Sequence, residues 1–174
     1  YNHPEYPKVC VALTIEPSRF LQKALLPYLK SMYPKVVTTF ITNKRLRKLM
    51  TTFREEQQFN ELVVTQANHR FRIMRGQKQE KTVPVVSWPG IELDEAFEWV
   101  LENNGWFNSI KFQAQRHFRS YAEILFTRQG IIRTNQLFSI VFKALVLPVC
   151  KTIYENVEIF GHRSRKETSD LSVR

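Results

Sequence analysis

The sequence predicts an α+β domain, in which a mixed, mainly antiparallel sheet packs with about four helices. Two adjacent runs in the second half alternate apolar and polar residues, as antiparallel strands with one solvated face do. Other segments repeat apolar residues at helical spacing. Strands and helices are interspersed without strict βαβ order, which favours α+β over a parallel α/β sheet.

The first forty residues predict a strand, a helix and a second strand. The run from Val9 to Ile15 is apolar and β-rich, as in a buried strand. Glu16-Pro17-Ser18 begins a helix that Tyr33-Pro34 ends, and Pro27 is a candidate kink inside it. Residues Val36 to Ile41 predict the second strand.

The middle of the chain predicts two amphipathic helices separated by short strands. The first helix runs from Lys44 to about Glu56 behind an N-cap at Thr42 or Asn43, and the second runs from Ile91 to Glu102. Asn103-Asn104-Gly105 stops the second helix. Strands are predicted at Leu62–Thr65, His69–Arg75 and Val83–Trp88, the last closed by Pro89-Gly90.

The last third predicts an antiparallel pair of strands and a central helix. The alternating runs are Ile110–Arg116 and Phe118–Arg128, followed by a short strand at Ile131–Arg133. A helix capped by Thr134 or Asn135 reaches about Leu147, where Pro148 interrupts it. Val157–Phe160 is a candidate last strand. We expect residues 1–160 to form a single domain and residues 161–174 a basic, flexible tail.

The composition points to a polyanionic partner. The 174 residues include 26 Lys and Arg against 16 Asp and Glu, a net charge of +10. Such an excess is typical of proteins that bind nucleic acid, an anionic membrane or an acidic protein, and of these we expect nucleic acid, either DNA or RNA. No stretch reaches the ~18–20 apolar residues of a membrane span, so no membrane partner is expected.

Two features predict where the protein resides. Cys10 and Cys150 are expected to be buried free thiols, which favours a reducing, intracellular location in cytoplasm or nucleus. The chain begins at Tyr1 without a signal-peptide pattern, and we expect it to be a piece of a larger protein.

A basic helix is the first candidate site. Four cations, Lys44, Arg45, Arg47 and Lys48, occupy little more than one helical turn, and Arg54 lies further along. Neighbouring like charges repel by about a few tenths of a kcal/mol, a cost that an anionic partner would remove. The alternative is that these cations only form the solvent-exposed face of the helix.

The predicted strands supply a second candidate surface. Side chains alternate along a strand, so residues two positions apart share a face. Arginine and lysine suit phosphates, glutamine suits base edges and tyrosine suits stacking. The alternative is that one of these faces packs beneath a helix. The residues of this surface are Arg70, Arg72, Lys111, Gln113, Arg119 and Tyr121.

One predicted helix is acidic, in contrast to these basic segments. Residues 91–102 carry five acids and no cation. We expect a solvated face, and the helix could instead bind another protein or a neighbouring domain. The acids are Glu92, Asp94, Glu95, Glu98 and Glu102.

Nucleic-acid binding through the phosphate backbone is the function that the sequence predicts. One alternative is a protein-interaction or scaffold domain of a larger assembly. Another is a metal-independent nuclease with His69 and His117 as general acid and base. The sequence has no phosphate-cradling glycine loop, no nucleophile elbow and no histidines at metal-ligand spacing. We therefore predict no catalytic residue, cofactor or metal site, and we expect a binding protein rather than an enzyme.

Overall fold

The computed structural model describes residues 2–3, 5–16, 18–33, 39–71, 86–117 and 119–157. Contacts divide the chain into two compact units. One unit comprises Tyr1–Thr39 and Cys150–Arg174, and the other comprises Phe40–Val149. The expectation of a single domain over residues 1–160 stays a prediction, and the predicted tail lies outside the described residues.

A five-stranded antiparallel sheet forms the centre of the unit Phe40–Val149. Its strands are β3 (Glu61–Phe71), β4 (Val86–Glu92), β5 (Gly105–Arg116), β6 (Arg119–Thr127) and β7 (Ile132–Thr134). They lie in the order β4-β3-β5-β6-β7. The predicted α+β class with a mainly antiparallel sheet is confirmed.

Two amphipathic helices, α3 (Asn43–Glu56) and α4 (Leu93–Glu102), pack on one face of this sheet. The Thr42 hydroxyl caps α3 by accepting a hydrogen bond from the Arg45 amide at 3.4 Å, as its position in the sequence predicts. Both helices bury one apolar stripe against the inward residues of the strands. The helix residues in this core are Leu46, Leu49, Met50, Phe53, Leu93, Ala96, Phe97 and Val100.

Strand β3 is continuous where the sequence predicts two separate strands. Its register with β5 shifts between Val64 and Gln66, so one extra residue is accommodated there. Val64 and Ala67 consequently both face the core although they are three positions apart. The bulge breaks the alternation, which is why the pattern looks like two short strands.

Strand β4 also extends beyond its predicted end. It passes through Pro89-Gly90 and reaches Glu92. A proline is tolerated here because β4 is an edge strand. Gly90 has φ +68°, a conformation that glycine adopts at little cost, and it lies opposite the bulge of β3.

Prolines inside helices are accommodated by π turns. Helix α5 (Phe138–Val141) continues through the π turn Phe142–Val146, and residues 147–157 remain helical. The predicted interruption at Pro148 is therefore wrong. A proline crowds the carbonyl four residues before it, and that residue lies within the π turn, where the helix is wider. Pro27 shows the same arrangement after the π turn Leu21–Leu25.

The described part of the other unit contains a short strand pair, a helical segment over residues 18–31 and the helical residues 150–157. Strands β1 (Asn2–His3) and β2 (Tyr6–Cys10) are antiparallel. The π turn Leu21–Leu25 joins α1 (Ser18–Phe20) to α2 (Leu26–Ser31). The ring of Tyr6 lies 5.4 Å from that of Tyr154. None of the helices in the described ranges combines the length and apolarity needed to cross a membrane.

Three predictions near the ends of the chain need correction. The predicted strand Val9–Ile15 is wrong beyond Cys10, because residues 11–15 have no regular structure. Residues 39–41 are not a strand, and 36–38 lie outside the described residues. Residue 157 is helical rather than the start of a last strand, and 158–160 are not described.

The expectation that both cysteines are buried is wrong for Cys10. Along β2, Val9 points inward and the next side chain, Cys10, is exposed. Cys150 is buried, and burial raises the pKa of its thiol. The two thiols should therefore differ in reactivity, since the thiolate is the reactive form.

We expect one thiol of the native protein to react rapidly with an aromatic disulfide reagent and the other to react only after unfolding. Absorbance of the released thiolate measures both phases. The Cys10→Ser variant should lose the rapid phase and keep the slow one. Rapid labelling that persists in Cys10→Ser would contradict the assignment.

Candidate nucleic-acid interface

Helices α3 and α4 are joined by a network of ion pairs. The Arg47 guanidinium donates to Asp94 Oδ1 at 3.0 Å and to Glu98 Oε1 at 3.1 Å. The Arg54 guanidinium donates to Glu92 Oε1 at 3.1 Å and to Asp94 Oδ2 at 3.3 Å. Asp94 therefore accepts from both arginines, one on each carboxylate oxygen.

In this network, acidic side chains within residues 92–98 pair with arginines of α3, which belongs to the same unit. Burial disfavours the charge of Arg47, but its hydrogen bonds to Glu98 and Asp94 outweigh that cost, and the pKa of Arg47 lies above its ordinary value. A phosphate would have to displace these carboxylates to reach Arg47 or Arg54. Two of the five predicted cations of α3 are thus already neutralised.

Lys44 and Lys48 lie on an open part of α3. They are exposed, one turn apart, and border a groove of about 600 Å³ whose lining also includes Thr51, Leu101 and the acidic residue Glu55. No carboxylate of the described residues forms an ion pair with either lysine. The remaining predicted cation of this helix, Arg45, is half-buried.

The structure brings only part of the predicted sheet surface together. Arg70, Lys111 and Gln113 share the face opposite α3 and α4, because they alternate with buried residues. Lys111 is already paired, with its Nζ 2.8 Å from Glu123 Oε1. Arg72 lies outside the described residues.

Tyr121 and Arg119 lie elsewhere. A register shift after Ala114 leaves Tyr121 unpaired in the ladder, and its ring lies 6.5 Å from that of Phe59, beside α3. The Arg116 guanidinium carbon is 5.7 Å from the Tyr121 ring. In the strand register, exposed Arg119 lies opposite Arg116 at this end of the sheet. Tyr121 and Arg119 therefore do not form one surface with Gln113.

A second arginine lies among aromatic rings at the opposite rim of the sheet. The Arg128 guanidinium carbon is 3.7 Å from the centroid of the Phe40 ring and 5.6 Å from that of Trp106. Arg70 is directly opposite Trp106 in the strand register. We refer to Phe40, Arg70, Trp106 and Arg128 as the rim cluster.

Backbone hydrogen bonds fix Arg128 in this position. Its amide donates to the Asn108 carbonyl at 2.9 Å, and its carbonyl accepts from the Ile41 amide at 2.7 Å. The second bond holds the segment before α3 against the end of β6, which places Phe40 over the guanidinium. The cation–π contact further stabilises this arrangement.

Asn43 attaches the start of α3 to the same rim. Its side-chain oxygen accepts from the Phe107 amide at 3.1 Å, and its side-chain nitrogen donates to the Gly105 carbonyl at 3.3 Å. Lys44, the next residue, therefore lies beside the start of β5. Lys44, Trp106 and Arg128 border a common cleft of about 400 Å³.

The charge of Arg128 is poorly compensated. Burial and the nearby charge of Arg70 both lower the pKa of Arg128 from its ordinary value. Its Nε is buried without a hydrogen-bond partner in the part of the chain that the structure describes. The Nε of Arg116 is also buried without a partner among the described residues, but Nη2 of Arg116 donates a hydrogen bond to the Gln57 carbonyl. The rim cluster thus contains two arginines, neither of which forms an ion pair with a carboxylate of the described residues.

No known protein family, curated protein or solved structure matches this chain.

The two histidines considered for phosphodiester cleavage do not come together. His69 is buried beneath the helices, with its ring 5.4 Å from that of Trp99, and burial lowers its pKa. It pairs with Phe107 near one end of β5, whereas exposed His117 follows the other end. About nine residues of strand separate these positions, roughly 30 Å. One phosphodiester cannot contact both.

Sequence reasoning missed Arg128 and its two aromatic neighbours. In the sequence, Arg128 is the last residue of a predicted alternating strand, and Phe40 is part of an apolar run. Their contact depends on the bond between Ile41 and Arg128, which joins residues 87 positions apart. One signal was present, since both Phe40 and Trp106 are large aromatics next to predicted element ends.

Proposed function

We propose that this protein binds nucleic acid, with Lys44 and the two arginines of the rim cluster contacting phosphates. The observation that carries the proposal is the state of Arg128, which is half-buried between two aromatic rings, close to another arginine and without a carboxylate partner among the described residues. A phosphate oxygen in the cleft that Arg128 borders would give the guanidinium a charged hydrogen-bond partner and offset the repulsion from Arg70.

Arginine is suited to this contact. Its planar guanidinium stacks on aromatic rings and still presents edge donors to a phosphate. The surrounding rings hold the guanidinium in place, so less side-chain entropy is lost when the anion binds. A paired arginine such as Arg54 would first have to give up its hydrogen bonds to Glu92 and Asp94.

The distribution of cations favours a polymer over a small anion. Lys44 borders the cleft with Arg128 and also the neighbouring groove with Lys48, so cations continue from the rim along α3. The net charge of +10 adds long-range attraction for any polyanion. A single phosphate would engage only part of this set, whereas a nucleic-acid strand engages several members.

Removal of Arg128 tests the proposal. We expect Arg128→Gln to weaken binding of a labelled oligonucleotide about tenfold, because a charge-assisted hydrogen bond is lost. The slope of log K against log salt should fall by about 0.7–0.9 for each phosphate contact removed. Fluorescence anisotropy across a salt series measures both quantities, for DNA and for RNA.

Arg54→Gln is the matched control. It removes the same charge from a residue that already pairs with Glu92 and Asp94, so affinity should change less than about twofold. Thermal unfolding verifies that both variants are folded. The absence of binding at low salt, a flat salt response, or equal losses for Arg54→Gln and Arg128→Gln would refute the role of the rim cluster.

A further inference from the structure

The cleft bordered by Trp106, Arg128 and Lys44 has features that a protein would not need if it contacted only the phosphates of a duplex. Its volume is about 400 Å³, near the lower end of the ~300–1,000 Å³ typical of small-molecule sites. Trp106 supplies an aromatic wall, and exposed Leu101 at the end of α4 supplies apolar surface. Two cations and a large ring in one concave site match a nucleotide, which carries a phosphate and a flat base.

From this cleft we infer that the ligand is single-stranded, and that one unpaired base enters and stacks on Trp106 while its phosphate lies at Arg128 and Lys44. This inference rests on the proposed function. Bases within a duplex are stacked on one another and cannot present a face to the tryptophan, whereas every unpaired base has such a face. The cleft therefore selects single strands with little regard for sequence.

The positions of the cations agree with this arrangement. Arg128 and Lys44 border the cleft together with Trp106. Arg70 is directly opposite Trp106 on the neighbouring strand, outside the residues that border the cleft. A strand whose base occupies the cleft thus has a cation available for the next phosphate along its backbone.

The test compares a ten-nucleotide oligothymidylate with an abasic backbone of equal length and charge. We expect the native protein to bind the oligothymidylate about tenfold more tightly, as base–aromatic stacking implies. Trp106→Leu should weaken binding of the oligothymidylate more than binding of the abasic strand and so reduce this preference, and Trp106→Phe should restore most of it. A blunt duplex should bind no more tightly than the abasic strand.

Two results would overturn the inference in distinguishable ways. If the protein binds both strands equally and Arg128→Gln weakens both, nucleic-acid binding stands and the base-stacking role of Trp106 is refuted. If neither strand binds at low salt, the proposed function is refuted as well. Equal binding of the two strands by the native protein refutes the base-stacking role of Trp106 even if Trp106→Leu fails to fold.

Discussion

Phe97→Ala is expected to lower the free energy of unfolding by about 3–5 kcal/mol. Phe97 is fully buried in α4, and its ring meets that of Phe107 on β5 edge to face at 5.0 Å. Truncation removes this contact and leaves a cavity between the helix and the sheet, where the backbone is held by the strand ladder and cannot close the space. Urea unfolding followed by tryptophan fluorescence measures the loss.

Leu101→Ala provides the comparison on the same helix. Leu101 is 51% exposed, so its truncation should cost less than about 1 kcal/mol. A loss for Phe97→Ala as small as that for Leu101→Ala would mean that α4 does not form part of the core.

The helices over the sheet were predictable because their signals are local. Thr42 in front of a basic amphipathic segment indicated the start of α3, and the cap is formed. Asn104 indicated the end of α4, and it adopts φ +53°, the left-handed conformation expected at a helix stop. Caps and apolar stripes involve residues within a few positions, so the sequence displays them directly.

The strands were predictable where their alternation is regular. Strand β6 lies almost where the pattern from Phe118 to Arg128 places it. Strand β3 was divided in the prediction because a bulge shifts its alternation after Val64. A bulge is fixed by the neighbouring strands as well as by the strand itself, so a single sequence does not reveal it.

The sequence alone could not predict which charged residues form ion pairs with one another. Arg47 and Asp94 are 47 positions apart, and they meet only because α3 and α4 pack on the same face of the sheet. The same holds for Arg128, whose position depends on a bond to the segment before α3. The sequence therefore predicted which residues are charged and which helices carry them, but not which charges remain uncompensated.

Spatial pairing changes how the net charge of +10 should be interpreted. A basic helix and an acidic helix that look segregated along the chain largely compensate each other at Arg47 and Arg54. The proposed attraction for polyanions then depends on cations that form no ion pair with the described carboxylates, among them Lys44 and Arg128. This is why the proposed contacts shift from the middle of α3 to its first turn and the rim of the sheet.

Asp94→Asn is expected to lower the free energy of unfolding by about 1–2 kcal/mol. The substitution preserves shape but removes the charge shared by Arg47 and Arg54, each of which keeps a single glutamate partner. The lower end of the range applies if solvent screens the pairs, since 31% of the Asp94 side chain is exposed. Chemical unfolding at low and high salt measures the loss, which should shrink as salt rises.

Glu95→Gln isolates the ion pairs from the effect of the helix dipole. Asp94 and Glu95 both lie in the first turn of α4, where either carboxylate interacts favourably with the dipole by about 0.3–1 kcal/mol. Glu95 is exposed and has no ion-pair partner among the described residues, so its neutralisation removes the dipole contribution alone. The difference between the two variants is then the contribution of the arginines. Equal losses would show that Arg47 and Arg54 gain nothing from Asp94, and that both remain available to a polyanion.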